Sequence, residues 1–462
     1  MTATHSVHIA SLGCARNDVD SEELAARLEQ GGFTLVSDPE AAETVVVNTC
    51  GFVAQAKKDS IDTLLAAADL KEDGTVKSVV AVGCMAERYG VELAKELPEA
   101  DAVLGFDSYT DIADRLRGIL DGEAAISHVP RDRRKLLPLS PTARPAAAPE
   151  VAVPGHVWLP GARRRLAGGP TASLKIASGC DRRCAFCAIP AFRGSYLSRP
   201  LDELEAEARW LVHEGVKELF LVSENTSSYG KDLGADVRLE QLLERLSGID
   251  GLDWIRVSYL QPAEIRPGFV ESMLAIDKVV PYFDLSFQHA SRPVLRRMRR
   301  FGDPDSFLDL ISGIRRLAPA AGIRSNVIAG FPGETDDDVE TLRQFIIAAE
   351  LDVLGVFGYS DEEGTEGVTL PGHLPEDVIE ERRAMLADLA VDVAEARAAE
   401  RIGEDIVVLV EGTDDGETYG RAEHQAPETD GAVTLNREAP VGSLVPARVV
   451  DSTGIDLIAE AL

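Results

Sequence analysis

The sequence is short of positive charge. Its 462 residues hold 47 Lys and Arg against 78 Asp and Glu, a formal net charge of −31. Phosphate backbones are bound through many Lys and Arg contacts, so this balance speaks against a nucleic-acid binder and for a basic protein partner. Solubility alone is the plain alternative reading of the same charge. Long apolar runs are lacking too. None approaches the ~18 residues of a membrane span, so no membrane partner is expected. The N-terminal MTATHSVHIA has no basic stretch followed by an apolar one, as a secretory signal would have. Cysteine is scarce at six, and half of these sit in one metal-like cluster, which points to a reducing compartment, the cytoplasm. Hydrophobic residues at 45% and charged residues at 27% are ordinary for a globular protein. A chain this long exceeds one typical core and is expected to divide into domains.

The cysteine cluster organises the rest. In Ser178-Gly179-Cys180-Asp181-Arg182-Arg183-Cys184-Ala185-Phe186-Cys187 the spacing is C-x3-C-x2-C. The preceding ASLKIA (172–177) reads as a strand, so the thiols occupy the loop at its C-terminal end. Cysteines this close reach one metal centre without a disulfide. A mononuclear zinc site usually supplies four ligands, and no fourth Cys or His lies nearby. Three thiolates suit a four-iron cluster with one iron open to substrate. The spacing, with Phe186 before the last cysteine, resembles the signature of radical S-adenosylmethionine (SAM) enzymes. In that superfamily the open iron binds SAM, and an electron from the cluster splits it into methionine and a 5′-deoxyadenosyl radical.

Residues 6–120 alternate strands and helices: a strand Ser6 to Cys14, a helix Asp20 to Gln30, a strand Thr44 to Cys50, a helix around Ser60 to Leu70, and a strand Ser78 to Cys84. This predicts a parallel-sheet α/β domain. Cys14, Cys50 and Cys84 each end a predicted strand, where sites in open parallel sheets gather, so the three are expected to converge. Gly13, Gly51 and Gly83 beside them would let the backbone approach a bulky ligand. Residues 121–169 are rich in proline, with basic runs at Arg131 to Lys135 and Arg163 to Arg165; they read as a linker, partly disordered, with solvated charges.

Residues 170–398 alternate again. Candidate strands are Leu174–Ala177, Glu218–Val222, Trp254–Ser258, Tyr282–Phe287, Arg324–Ala329 and Val353–Tyr359, giving a partial (β/α) barrel with the cysteine loop at its C-terminal mouth. A helix from Pro375 to about Arg401 carries Met385, Leu386 and Leu389 at core spacing. Residues 399–462 alternate short β segments with turns, as in a small antiparallel β-barrel. That tail has one aromatic residue, Tyr419, and no Lys, where an RNA-binding barrel would want a basic groove and stacking aromatics. Arg296, Arg297, Arg299 and Arg300 read as a solvated helix face. The G-F-P-G-E turn, Gly330 to Glu334, either shapes the mouth or is a plain strand-to-helix turn.

As a whole the chain resembles the methylthiotransferases, radical-SAM enzymes with an N-terminal methylthiotransferase domain and a C-terminal TRAM domain. SLGCARNDVDSEE, VVNTCGF and AVGCMAERYG look like that family's three N-terminal cysteine motifs, and ASGCDRRCAFCAIPAFRGSYLSRP like its radical-SAM motif. One branch modifies an adenosine in tRNA, the other an aspartate on the twelfth protein of the small ribosomal subunit. SGCDRRCAFCAIPAFRG and ELFLVSENTSSYGKDLG look like the second branch, although Glu224-Asn225 stand where Gln-Asp is usual.

The resemblance implies that Cys180, Cys184 and Cys187 hold a SAM-cleaving [4Fe-4S] cluster. Cys14, Cys50 and Cys84 would hold a second [4Fe-4S] cluster that delivers sulfur. It implies two SAM per turnover, one for the methyl group and one for the radical that takes a hydrogen from the aspartate β-carbon. It also implies an external electron donor (a reductant protein) and a sulfur donor. The partner would be a basic ribosomal protein of the small subunit, free or on the ribosome, without direct RNA binding. Candidates to meet SAM at strand ends are Phe186, Glu224, Gln288, Arg324, Asn326 and Tyr359, with Arg324 either pairing its carboxylate or held in an ordinary salt bridge. A tRNA methylthiotransferase and a non-catalytic zinc scaffold stay open as alternatives.

Overall fold

In the computed structural model, which describes residues 5–72, 74–234 and 236–462, the β-branched N-terminal runs form a five-stranded parallel sheet. Its strands are β1 (Ser6–Ser11), β2 (Thr34–Leu35), β3 (Thr44–Thr49), β4 (Ser78–Val82) and β5 (Ala102–Val103), in the order β2-β1-β3-β4-β5. β3 and β4 are buried at every residue because both faces are covered. Val46, Val80 and Val82 meet Leu24 and Leu28 of helix α1 (Ala15–Gln30) on one side. Val45, Val47 and Val79 meet Leu64 of helix α2 (Ala54–Asp69) on the other. The first strand ends at Ser11 instead of Cys14, and α1 starts at Ala15 instead of Asp20. Its first turn is polar and carries no apolar period. The first four residues of MTATHSVHIA lie outside the described residues.

The central region begins with β6 (Thr171–Lys175) and a short antiparallel pair, β7 (Ala177–Ser178) with β8 (Leu197–Ser198), which pinches off the cysteine loop. Then come β9 (Glu218–Val222), β10 (Trp254–Val257), β11 (Tyr282–Asp284), β12 (Gly322–Ala329) and β13 (Val353–Gly358). β6, β9 and β10 form one parallel sheet and β11, β12 and β13 another. Single parallel bridges, Ile255 to Val279 and Leu260 to Leu285, join the edges into an open arc of six parallel strands, the expected partial barrel. The strand expected from Tyr282 to Phe287 stops at Asp284. In the helix Glu376–Glu400, Leu386 is buried and Leu389 packs on the core, but Met385 is exposed, so its core assignment does not hold.

The C-terminal strands β14 (Asp405–Asp414), β15 (Glu417–Ala422), β16 (Val433–Leu435), β17 (Leu444–Thr453) and β18 (Asp456–Ala461) close a barrel in the order β14-β15-β16-β18-β17. β15 carries no apolar alternation to mark it in the sequence, because its inward positions, Thr418, Gly420 and Ala422, are all small. This barrel is fastened to the central region by a buried charge network. Glu218 lies between Arg256 (2.6 Å) and Arg421, and Glu411 accepts from Arg421 at 2.7 Å. Among the described residues no helix is long and apolar enough to cross a membrane.

Residues 121–169 differ most from expectation. They lay a strap of short 3-10 turns and one brief helix, Arg144–Ala147, against both neighbouring regions. The strap is held mainly by buried arginines, with Leu137 and Trp158 as its buried apolar side chains. Arg133 pairs with Glu87 (3.0 Å), Arg144 with Asp181 of the cysteine loop (2.7 Å), and Arg163 with Glu22 and Glu207. Trp158 packs against Trp210, the rings tilted by 41° with centroids 5.2 Å apart. The basic runs are therefore not simply solvated. Desolvated guanidinium groups persist only where carboxylates pair them.

Candidate functional site

The three N-terminal cysteines come together at the strand-to-helix turns of the first sheet. Cys14 caps α1, Cys50 follows β3, and Cys84 is the second residue of helix α3 (Gly83–Tyr89), which follows β4. The flanking glycines serve contacts between these turns. A Cβ at Gly13, where φ is +103°, would lie 2.8 Å from the Cys50 Cβ and 3.0 Å from its sulfur. One at Gly51 would lie 3.0 Å from the Met85 backbone, and one at Gly83 would strike Asn48 and Thr49. What these glycines admit in the structure is the close approach of a neighbouring turn.

The thiols of this set are not equivalent. Burial pushes the Cys50 thiol up and the Cys84 thiol up to about 12. Burial acts the same way on Cys14, but the Arg16 and Arg193 guanidinium groups outweigh it and draw that thiol below its ordinary value. Arg193 reaches in from the central region. It donates to the Cys84 sulfur at 2.9 Å, the Asn17 side-chain carbonyl at 2.7 Å and Asp20 at 2.7 Å. Asp20 also accepts from Lys175 of β6 at 2.7 Å.

The second set lies in the loop between β7 and β8. All three of its thiols are partly exposed, and burial pushes Cys180 up and Cys187 up to about 12. The loop is anchored from both sides: Ala185 donates to the Met298 carbonyl (3.1 Å), and its own carbonyl accepts from Gly367 (2.7 Å). Ala185 packs with Val294, Met298, Phe331 and Tyr359. The G-F-P-G-E turn thus backs the cysteine loop through Phe331, while Glu334 is tied to His289 (3.1 Å) and Arg382 (2.9 Å). Of the arginine run, Arg296, Arg297 and Arg299 are exposed as expected, and Arg300 alone is not. Arg300 is buried against the Ser286 carbonyl, 3.6 Å from the Cys184 sulfur, and Arg299 pairs with Glu366.

Arg16 joins the two sets, and it was not singled out in the sequence. It is two residues after Cys14, donates to the Ser223 carbonyl at 2.8 Å, lies 3.8 Å from Glu224, and sits 4.7 Å over the Tyr259 ring. Glu224 is 3% exposed, and one of its carboxylate oxygens has no partner. The side-chain carbonyls of Asn225, Gln261 and Asn326 are likewise buried without partners. Unpaired buried acceptors are costly and fit a polar ligand that supplies donors, as SAM does. Phe186 packs on the cluster of residues that backs the cysteine loop, and the Tyr359 hydroxyl donates to Asp361 at 2.9 Å. Gln288 is held with φ at +71° and its amide on the Asn326 carbonyl. Arg324 faces Asp430 of the C-terminal barrel at 3.7 Å, and its other neighbours are Asp284, Tyr282 and Tyr259, the last shared with Arg16. Its Nε is buried without a hydrogen-bond partner.

The donor sets fit iron–sulfur clusters better than a single ion. Each supplies three thiols, where a structural zinc site usually takes four ligands. Three family models match the chain: uncharacterized protein family UPF0004 over residues 6–105, the radical SAM superfamily over 174–346, and the TRAM domain over 402–462. A Cutibacterium acnes protein called ribosomal protein uS12 methylthiotransferase RimO is 65% identical, with 98% of this chain and 97% of that protein covered. A Nocardioides protein of the same name is 60% identical over 99% of this chain and 97% of its own. Among solved structures, the radical SAM methyltransferase TsrM from Kitasatospora setae has a TM-score of 0.52 at 15% identity, covering 77% of this chain and 73% of its own, a likeness of fold alone. Identity this high along nearly the whole chain, with both cysteine sets in place, settles membership: the chain belongs to the methylthiotransferase family of radical SAM enzymes, in the uS12 methylthiotransferase branch.

Proposed function

We propose that this enzyme adds a methylthio group to the β-carbon of an aspartate of ribosomal protein uS12. Cys180, Cys184 and Cys187 would hold the SAM-cleaving [4Fe-4S] cluster, and Cys14, Cys50 and Cys84 a second [4Fe-4S] cluster. When bound, these groups, with two SAM per turnover, an external reductant and a sulfur donor, supply the one-electron chemistry, the sulfur and the methyl group. The observation that carries this reading is the joint between the two cysteine-bearing regions, which Arg16 and Arg193 cross in opposite directions.

The chain's own groups hold the reactants. Glu224, with its free oxygen, is suited to a cationic amine such as that of SAM, and Asn326 to its hydroxyl or amine donors. Gln288, Phe186 and Tyr359 would line the same mouth. Residues 6–120 reach that mouth through Arg16, Lys57 and Arg88, which would limit the nucleophiles and hydrogen donors within reach of a reactive carbon. The acidic C-terminal barrel suits a basic substrate. Asp414, Asp415 and Glu417 are exposed on its β14–β15 turn, whereas Glu411 is committed to Arg421.

Two triple variants test the assignment. Cys180→Ala/Cys184→Ala/Cys187→Ala should lose about half of the reconstituted iron and all SAM cleavage. Cys14→Ala/Cys50→Ala/Cys84→Ala should lose a similar share of iron, keep SAM cleavage, and form no methylthio product. Equal loss of SAM cleavage in both would count against separate roles.

A further inference from the structure

Arg193 belongs by sequence to the central region, six residues beyond Cys187 in the same segment, yet its side chain ends inside the N-terminal cysteine set. It is 3% exposed. One nitrogen donates to Asp20; the other lies 2.7 Å from the Asn17 carbonyl and 2.9 Å from the Cys84 sulfur. Its guanidinium carbon stands 4.9 Å over the Phe106 ring. Docking alone would be met by Asp20 and Asn17. The third contact puts a fixed cation and a donor on the sulfur of a cysteine assigned to a cluster.

We propose that Arg193 is a positioning residue for the N-terminal cysteine set, raising the reduction potential of the cluster bound there, so that the set is electrostatically complete only when the central region is docked. The inference rests on the reading that Cys14, Cys50 and Cys84 hold an iron–sulfur cluster. A cation that donates to a ligand sulfur stabilises the more negative, reduced state, and hydrogen bonds to sulfur together with local charge tune cluster potentials. Burial leaves little water to screen the effect. Because Cys187 and Arg193 share one short segment, any movement of the cysteine loop also moves this cation relative to Cys84.

The test uses the full-length chain with Cys180→Ala/Cys184→Ala/Cys187→Ala, so that only the N-terminal cluster is reconstituted. Its midpoint potential is read by a reductive titration followed by electron paramagnetic resonance. Adding Arg193→Gln should shift the midpoint to more negative values. Arg193→Lys should shift it the same way by less, because one ammonium cannot span Asp20 and Cys84 as the planar fork does. Arg163→Met is the control. It breaks a buried pair across the same seam without touching a cysteine, and should lower the melting transition with the midpoint unmoved. An iron-loaded Arg193→Gln protein with the midpoint of its parent overturns the inference and leaves Arg193 a docking residue. If Arg193→Gln does not fold, an unmoved midpoint in Arg193→Lys overturns it equally. A parent that takes up no iron would instead overturn the cluster assignment itself.

Discussion

Asp20 is the residue whose loss should most weaken the joint between the N-terminal and central regions. Its carboxylate is 1% exposed and lies 2.7 Å from both Lys175 and Arg193, which are buried with it. Burial alone would raise its pKa, but Lys175 and Arg193 hold it below the usual carboxylate range, so it is charged at neutral pH. Asp20→Asn keeps the shape and removes the charge, leaving two desolvated cations without their shared counterion. Removing one partner of a buried pair costs about 3–5 kcal/mol. At 2–4 °C per kcal/mol for a unit of 150–250 residues, the first melting transition should fall by roughly 6–20 °C. Calorimetry of the protein reconstituted under anaerobic conditions reads this directly, and limited proteolysis should show cleavage in residues 121–169 at temperatures where the wild type resists. A transition within about 1 °C of wild type would refute the reasoning, because at the conversion above the pair would then contribute no more than about 0.5 kcal/mol.

Three further outcomes are expected. Glu224→Ala should weaken SAM binding by about 10- to 100-fold, the value of one charged hydrogen bond, with iron content unchanged; equilibrium binding of SAM checks it, and unchanged affinity removes Glu224 from the SAM site. Burial, with Arg199 and Lys175 nearby, pushes His156 down to about 3, so the folded state resists a proton that the unfolded chain accepts near 6.5. Its contribution is complete above pH 6.5 and is lost as pH falls toward 3, and His156→Asn should remove about 2 kcal/mol of the stability difference between pH 7 and pH 5 seen in urea unfolding. Asp414→Lys/Asp415→Lys/Glu417→Lys should weaken binding of uS12 measured by titration without changing the melting transition; equal affinity would argue against docking on that turn.

The cysteines were legible because their chemistry is written in local spacing and in their recurrence at strand ends. The parallel sheet and the barrel strands were legible for a similar reason, since buried strands such as Thr44–Thr49 and Glu218–Val222 are marked by apolar or β-branched runs. What stayed hidden is the joint. Arg16, Asp20, Lys175 and Arg193 are charged residues in polar company, and their hydrogen-bond partners across the joint lie 109 to 207 positions away. Local pattern gives such residues to solvent. The strap at 121–169 escaped for the same reason: its burial runs through Arg133, Arg144 and Arg163, which no hydrophobic period reports. β15 was lost because a small closed barrel fills its interior at Thr418 and Gly420 with little apolar bulk.

The central claim is that sulfur and methyl are delivered to a protein side chain, and one measurement meets it directly. The reconstituted enzyme is incubated without oxygen with SAM, a reductant, a sulfide source, purified uS12 and total tRNA, and both polymers are then analysed by mass spectrometry. uS12 should be heavier by one methylthio group in place of one hydrogen, located by fragmentation to an aspartate, with tRNA unchanged. Methylthiolated adenosine in tRNA with uS12 unmodified would contradict it.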